Sequence, residues 1–421
     1  MKHMKKTRWI LSGMLTIALI TLVMVSCDDD DGPRAFTIDT ATAGAIDLNG
    51  ATSPSDVPVD PTITVTFTSD IDASTATNAN VKLIRDYDDA EIPLTISATG
   101  TTLTVTPDDD LATGALYQLN LGSGLKSTQA IPFVAVSRTF TTEGSFAPSG
   151  VVAHFTFEDN ADDVVGSYDP TATDIVAVEY VASRKAGAGK AASFNGTTSI
   201  IEIPNADEFL DNKDFTLSFW VKASSTKNGQ FVLGLGAWKG FQFEIAGDWA
   251  WVKLASQYDQ GDGTTDSEDA FYNGNGQTKD TTPAGWLGWT VNKDVTASGG
   301  VGETYFKDKW ANVVVTYNAT TKVNTMYING ERVKEHDFNL WATGEKKKGI
   351  VGVKYAGDPA GNKLALGFIQ ARENRIITDD WANYAHVDAK NHFKGELDDV
   401  RIFSVPVTAT EVTLMYNSEK P

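Results

Sequence analysis

Short runs in which apolar and polar residues alternate constrain the fold of this chain more than any other feature. Residues 62–68 are the clearest case, because Ile63, Val65 and Phe67 fall on one face of an extended strand and threonines fall on the other. Further short runs follow, set apart by Gly or Pro, and only residues 408–417 read as a short helix. The pattern predicts an all-β protein.

The first domain is predicted over residues 36–143, where regular short strands favour a sandwich of roughly seven strands. Its segments VDPTITVTFTSDIDASTATNANVKL, GTTLTVTPDDDLATGALYQLNLGSGLKS and RTFTTEG resemble the bacterial Ig-like domain of the S-layer type. Domains of that family usually serve as spacers. The resemblance therefore implies a stalk and no catalytic residue.

A second, larger domain is predicted over residues 151–418, after a linker at 144–150 that is rich in Gly, Ser and Pro. Residues 215–219 and 313–317 alternate, and Asn329-Gly330 reads as a two-residue hairpin turn. So many strands in one domain call for two large stacked sheets, as in a jelly roll.

Four segments of this second domain carry a closer resemblance: VVAHFTFEDNADDVVGS, GKAASFNGTTSIIEIPNADEFLDNKDFTLSFWVKA, KWANVVVTYNATTKVNTMYINGERV and FKGELDDVRIFSVPVTATEVTLMYN. They are similar to the LamG-like jelly-roll family of concanavalin A-like lectin and glucanase folds. The expected fold class is thus an N-terminal Ig-like β-sandwich followed by a concanavalin A-like jelly-roll β-sandwich. The ligand stays open, because one fold carries many functions.

Cys27 is the only cysteine, and it follows a basic segment and an apolar run in the first 26 residues. This order indicates a secretory signal peptide over 1–26. The segment resembles the lipobox of bacterial lipoproteins, which implies a lipidated Cys27, an acidic tether over 27–35 and anchoring in the outer membrane at the cell surface. An uncleaved membrane helix is the alternative, but the apolar run is near the lower length limit for a span.

The charge of the chain argues against nucleic acid as a partner. The formal net charge is −20, and it becomes −24 once the four basic residues of the first 26 are removed. No basic patch stands out in such an acidic sequence, so nucleic acid would be repelled. We expect contact with a membrane only through the lipid anchor.

Catalysis by a carboxylate pair is conceivable on this scaffold but is not favoured. Glycosidases need two acids a few ångströms apart, and Glu396 and Asp398 would share a strand face. A third acid is expected near position 401, where this chain has Arg401. We therefore interpret this strand as structural and expect no hydrolase activity, with a glycoside hydrolase or lyase kept as the alternative.

A structural calcium ion is implied by the LamG-like resemblance, at the place where the first and last strands of the domain meet. Calcium takes six to eight oxygen ligands from carboxylates and carbonyls. The candidate ligands are Asp159, Asp162, Asp163, Asp398 and Asp399. The other interpretation is a solvated acidic loop beside an aspartate at a strand end.

The long insert of the second domain, about 227–305, is rich in aromatic and amide side chains. Sugar rings stack on indole, and their hydroxyls bind to amides. Because loops of β scaffolds usually carry function, the insert is the candidate glycan site. Its candidate residues are Trp249, Trp251, Trp286, Trp289, Tyr258, Tyr272, Asn273 and Asn275. Trp249 and Trp251 are two apart and are expected to share a face, although many of these rings would also suit a core.

These observations predict a surface lipoprotein with a non-catalytic carbohydrate-binding or adhesive role, whose partners are glycans and other surface proteins. A hydrolase would show two carboxylates about 5–10 Å apart in an aromatic-lined cleft. A purely structural or protein-binding module would show an apolar patch without a polar-rimmed groove.

Overall fold

The computed structural model describes residues 35–211, 213–236, 239–279, 288–357, 362–373 and 391–421. Within them the chain is nearly all β, so the predicted all-β fold class is confirmed. Cys27 and Trp286 lie outside the described residues. No helix in the described part of the chain has the length and apolarity needed to cross a bilayer.

The N-terminal domain is a sandwich of two antiparallel sheets. Its strands are β1 Ile38–Ala43, β2 Ile46–Asp47, β3 Ile63–Phe67, β4 Val81–Arg85, β5 Ala90–Ile92, β6 Leu94–Thr99, β7 Thr102–Pro107, β8 Leu116–Leu121 and β9 Val136–Thr141. One sheet has the order β2-β1-β3-β7-β6 and the other β5-β4-β8-β9. As the alternation predicts, Ile63, Val65 and Phe67 are buried between the sheets.

The C-terminal domain has seventeen strands among the described residues. They are β10 Val151–Phe155, β11 Ile175–Val176, β12 Glu179–Ala182, β13 Lys190–Asn195, β14 Ile200–Ile203, β15 Phe215–Ala223, β16 Gln230–Gly234, β17 Phe241–Ile245, β18 Val252–Asp259, β19 Thr265–Tyr272, β20 Trp289–Asn292, β21 Trp310–Asn318, β22 Val323–Ile328, β23 Glu331–Asp337, β24 Gly352–Val353, β25 Leu364–Leu366 and β26 Lys394–Phe403.

Those strands form two stacked sheets, the jelly-roll sandwich that was predicted. One runs β12-β13-β26-β15-β21-β22-β23-β20, with β10 on β26, and the other runs β11-β14-β25-β16-β17-β18-β19, with β24 on β18. Phe215, Leu217 and Phe219 point into the core between them. The Asn329-Gly330 turn joins β22 to β23, because Ile328 pairs directly with Glu331.

Among the described residues, helical structure is confined to short pieces. One α-helix, α1 Ala409–Glu419, covers the outer face of the sheet that contains β15, and it begins with a capping box between Thr408 and Glu411. The 3₁₀ turns are Ala73–Thr75, Ala206–Leu210, Thr296–Ser298, Phe338–Leu340 and Lys346–Gly349, and Gly302–Phe306 is a single π-helical turn. Residues 408–417 are thus helical, as their sequence indicates.

The segment 144–150, predicted as a linker, is packed between the two domains. Phe146 is buried and its ring meets that of Tyr87 edge-on, with centroids 5.1 Å apart. Its backbone N–H donates to Ser418 Oγ of α1 at 3.2 Å. Met415 of α1 belongs to the same apolar cluster as the first domain's core, so the two domains share a continuous interface.

Candidate functional site: an aromatic groove beside β18 and β19

The hairpin of β18 and β19 builds one wall of a groove by simple strand alternation. Val252, Leu254 and Tyr258 point into the core, so the residues between them point outward. Lys253 pairs directly with Phe271 of β19, and both lie on the outer face. Trp251, which precedes β18, lies next to Phe271, with ring centroids 5.2 Å apart.

The other wall comes from the chain that follows β19 and from β20. The backbone of Asn275 forms an isolated antiparallel β-bridge with that of Asp294, and the backbone of Lys279 forms another with that of Trp289. The Trp289 ring lies nearly parallel to that of Phe271, with centroids 6.1 Å apart and an interplanar angle of 22°. Trp251, Phe271 and Trp289 therefore form a continuous aromatic row.

The space between these walls, here called the aromatic groove, has a volume of about 410 Å³. Its lining residues are Trp251, Lys253, Asp269, Phe271, Asn273, Asn275, Gln277, Lys279 and Trp289. Apolar rings with a few polar groups placed around them are the usual composition of a small-molecule site.

Asn292 holds the amide-bearing wall in place. Its side-chain nitrogen donates to Asn273 Oδ1 at 3.0 Å, Asn275 Oδ1 at 2.8 Å and the Gln277 carbonyl at 2.9 Å. Because the oxygens of Asn273 and Asn275 accept these bonds, their amide nitrogens are left as donors for a ligand. The groove therefore presents hydrogen-bond donors beside stacked rings.

The charged side chains at the floor of the groove form ion pairs with one another. Lys253 Nζ lies 2.8 Å from Glu244 Oε1 and 3.4 Å from Asp269 Oδ2. Burial raises the pKa of Glu244, and Lys253 opposes that rise. Burial by itself would lower the pKa of Lys253, but the two carboxylates raise it above its usual value. Asp269 is the one carboxylate among the described lining residues.

Four of the eight predicted glycan-site residues line the groove: Trp251, Trp289, Asn273 and Asn275. Trp289 is only 8% exposed, so a bound ligand could contact only a small part of its ring. Trp286 lies outside the described residues. The structure places the remaining three residues, Trp249, Tyr258 and Tyr272, away from the groove, for reasons of local geometry.

Trp249 does not share a face with Trp251. It lies in the turn between β17 and β18 with a φ of 63°, so the alternation of a strand does not reach it. Its ring is buried in the core, and its Nε1 donates to Asn228 Oδ1 at 3.2 Å.

Tyr258 and Tyr272 lie on the inward face of β18 and β19. The Tyr258 hydroxyl accepts a hydrogen bond from Asn324 Nδ2 at 3.1 Å, and the Tyr272 hydroxyl donates to the Lys293 carbonyl at 3.1 Å. Both side chains are almost fully buried, so they stabilise the sandwich and cannot contact a bound sugar.

Sequence reasoning missed the charged residues Lys253, Asp269 and Lys279. Asp269 belongs to an acid-rich stretch of sequence that is typical of a solvated loop, but it lies on strand β19. Its alternation with Glu268 and Ala270, which are buried, carries the signal that would have placed it and Phe271 outside. Strand alternation gives no such signal for Lys279, because its position depends on a backbone β-bridge to Trp289, ten residues later in the sequence.

Four of the five acidic residues proposed for calcium contact cationic side chains or backbone N–H groups of the protein. β10 pairs with β26 as expected, with His154 opposite Arg401. Asp399 binds Arg184 Nη2 at 2.6 Å and Arg401 Nη2 at 3.1 Å, and Asp398 also binds Arg184. Burial raises the pKa of Asp398 to about 7, and the Asp399 charge adds to that rise.

Two aspartates of the loop after β10 also contact groups of the protein. Asp163 accepts backbone N–H groups from His154 at 2.9 Å and from Val165 and Gly166 at 3.0 Å. Asp159 pairs with Lys190, and Asp162 is exposed. Across the described ranges no group of three or more His, Cys, Asp or Glu side chains is arranged to hold a metal ion. These residues do not fit a calcium site, and bound Ca²⁺ stays an untested prediction.

Comparison with known proteins supports the N-terminal assignment. Residues 40–142 match the family model of the bacterial Ig-like domain. The match covers about a quarter of the chain and contains none of the groove residues. No curated protein matches the sequence.

Among solved structures, the binding domain of botulinum neurotoxin serotype G is 15% identical, with 63% of this chain and 50% of that chain covered and a TM-score of 0.38. The binding domain of Paraclostridial Mosquitocidal Protein 1 is 15% identical, with 64% and 52% covered and a TM-score of 0.39. The botulinum neurotoxin serotype D ligand binding domain in complex with N-acetylneuraminic acid is 13% identical, with 64% and 50% covered and a TM-score of 0.39. The chain spans about half the length of these structures. Likenesses this distant do not indicate what it binds.

Proposed function

We propose that this chain is a non-catalytic carbohydrate-binding protein that holds saccharide rings in the aromatic groove. The observation that carries the proposal is the row of Trp251, Phe271 and Trp289, bordered by amide side chains. Sugar rings offer apolar C–H faces for stacking and hydroxyls for hydrogen bonding, and the groove matches both. A polar-rimmed groove is also what a purely structural module would lack.

The distribution of carboxylates supports binding over hydrolysis. Asp269 lines the groove, while Glu244 is 7% exposed and does not line it. Lys253 forms an ion pair with both carboxylates, whereas a catalytic pair needs one protonated acid and one free carboxylate facing the sugar. Product analysis of each bound glycan is the check, and released reducing ends would favour the hydrolase.

Replacing Trp251 with alanine is expected to weaken glycan binding about tenfold or more. A sugar ring that covers part of the indole removes apolar area from water, which contributes about 2 kcal/mol. The measurement is affinity for the glycans that the purified protein selects from a panel of plant, host and microbial oligosaccharides. Trp310→Ala is the matched control, since Trp310 is also half-buried but lies in the other sheet, on β21.

Unchanged affinity in Trp251→Ala would contradict the groove as the site. Failure of the unmodified protein to bind any glycan of the panel would contradict the carbohydrate function as a whole. A tenfold loss in Trp310→Ala, equal to that in Trp251→Ala, would show that the effect is not specific to the groove.

We also propose that Cys27 carries a lipid and holds the protein in the outer membrane at the cell surface. The support is the order of basic residues, apolar run, Cys27 and four aspartates in the sequence. Mass spectrometry of the N-terminal peptide should find a diacylglyceryl-modified Cys27, and Cys27→Ser should release the protein from membranes. An unmodified Cys27 in a chain that still begins at Met1 would contradict the anchor.

A further inference from the structure

Lys334 is a buried amine without a counter-ion among the described residues, and it lies against a ring of the aromatic groove. Its side chain is on β23 and only 1% exposed, and its Nζ has no hydrogen-bond partner in the described part of the chain. The Nζ atom lies 3.3 Å from the ring centroid of Trp289, which lines the groove. Only the indole group thus separates this amine from a bound ligand.

A second lysine acts on the same ring. Lys279 lines the groove, and its Nζ lies 5.8 Å from the Trp289 ring centroid. Within the part of the chain that the structure describes, no carboxylate forms an ion pair with Lys279, whereas Lys253 contacts two. The end of the groove at Trp289 therefore carries a positive charge that no carboxylate of the described residues neutralises.

This arrangement is unusual in such an acidic protein. The chain has 55 acidic and 35 basic residues, yet two of its lysines lie together without a described partner. Burial, together with the charge of Lys279, lowers the pKa of Lys334 to about 7. A buried, unpaired amine destabilises the fold, and residues that break folding rules in this way concentrate at functional sites.

We propose that the aromatic groove takes an acidic saccharide, whose anionic group lies against Lys279 at the Trp289 end while a sugar ring stacks on Trp251 and Phe271. The inference rests on the proposed carbohydrate function and names the class of sugar. The anionic group is a carboxylate, as in a uronic acid, or a sulfate ester. Asn273, Asn275 and Gln277 are placed to bind the hydroxyls of the same sugar.

The test compares acidic oligosaccharides with their neutral counterparts on the purified protein. Uronic-acid oligosaccharides are measured against carboxyl-reduced forms, and sulfated oligosaccharides against desulfated forms, by calorimetric titration at low and high NaCl. We expect an acidic ligand to bind at least tenfold more tightly than its neutral counterpart, with the preference reduced by salt. The class of anion that shows the preference identifies the sugar.

Lys279→Gln is expected to remove most of this preference for acidic over neutral ligands. Lys279→Arg keeps the charge and should retain the preference, which separates a charge effect from a folding defect. Lys82→Gln is the matched control, because Lys82 is an exposed lysine of the first domain. Thermal unfolding of each variant verifies that it is folded.

Equal affinity for acidic and neutral ligands, with both weakened by Trp251→Ala, would overturn this inference and leave the carbohydrate function standing. Preference retained in Lys279→Gln would overturn it as well. No binding of either ligand class would overturn the carbohydrate function, and this inference with it.

Discussion

Replacing Arg401 with methionine is expected to lower the free energy of unfolding by about 3–5 kcal/mol. Arg401 Nη1 binds Glu419 Oε1 at 2.6 Å, and Nη2 binds Asp399 Oδ1 at 3.1 Å. Glu419 lies on α1 and is only 1% exposed, so without Arg401 it would be a buried carboxylate that has lost its main cation. The substitution therefore weakens the contact between α1 and the sheet beneath it.

The pKa of Asp399, which Arg401 contacts, also indicates that Arg401 stabilises the folded protein. Burial tends to raise the pKa of Asp399, but Arg401, His154 and Arg184 together lower it below its usual range. An aspartate with a lowered pKa in the folded state stabilises the protein above its ordinary pKa, and this contribution is lost as the pH falls. The loss of unfolding free energy caused by Arg401→Met should accordingly be largest at pH 7 and should become smaller at acidic pH.

Denaturant unfolding followed by tryptophan fluorescence measures this effect. Lys82→Met is the control, because it removes an exposed pair with Glu91 that contributes about 0–1 kcal/mol. The double variant Arg401→Met, Glu419→Gln should recover part of the loss, since it removes one of the unpaired charges. Equal stability of Arg401→Met and Lys82→Met would show that the network does not stabilise the fold.

Replacing Lys334 with methionine is expected to have the opposite sign and to stabilise the protein by about 2–4 kcal/mol at pH 7. Burial lowers the pKa of Lys334 to about 7 from its ordinary 10.5. Between these two values the unfolded chain binds a proton that the folded chain does not hold, so unfolding is favoured more as the pH falls from 10.5 to 7. Methionine has a similar shape and has no group that binds a proton in this pH range.

The pH dependence makes this second prediction specific. The gain from Lys334→Met should be largest at pH 7 and below and should shrink toward zero near pH 10.5. Unfolding free energies of both proteins between pH 6 and pH 10 provide the measurement. A gain that does not change with pH would indicate better packing alone, and a loss of stability would indicate that Lys334 has a partner in the folded protein.

Most of the fold could be predicted because strand alternation is a local property of the sequence. Phe67 and Phe219 point into their cores as the two-residue period requires, and the Asn-Gly pair at 329–330 makes the expected hairpin. The pairing of β10 with β26 was also predictable, through the resemblance to a fold in which the first and last strands are neighbours.

The candidate site could be predicted only in part, because it depends on long-range contacts. Trp249 was misplaced since a single residue with positive φ breaks the alternation before Trp251. The contacts of Asp398 and Asp399 could not be predicted because Arg184, which reaches both, lies more than 200 residues away in sequence. Lys334 gave no sequence signal at all, because its position beneath Trp289 arises from the pairing of β20 with β23.

The most direct test of the central claim is to observe the tryptophan side chains while a saccharide binds. In an NMR titration of the ¹⁵N-labelled protein with a glycan selected from the panel, the indole N–H signal of Trp251 should shift, with its assignment taken from Trp251→Phe. The signal of Trp220, which is buried and donates to Glu419 Oε2 at 2.8 Å, should stay unchanged. A bound glycan that leaves the Trp251 signal in place while it shifts tryptophans outside the aromatic groove would contradict the claim.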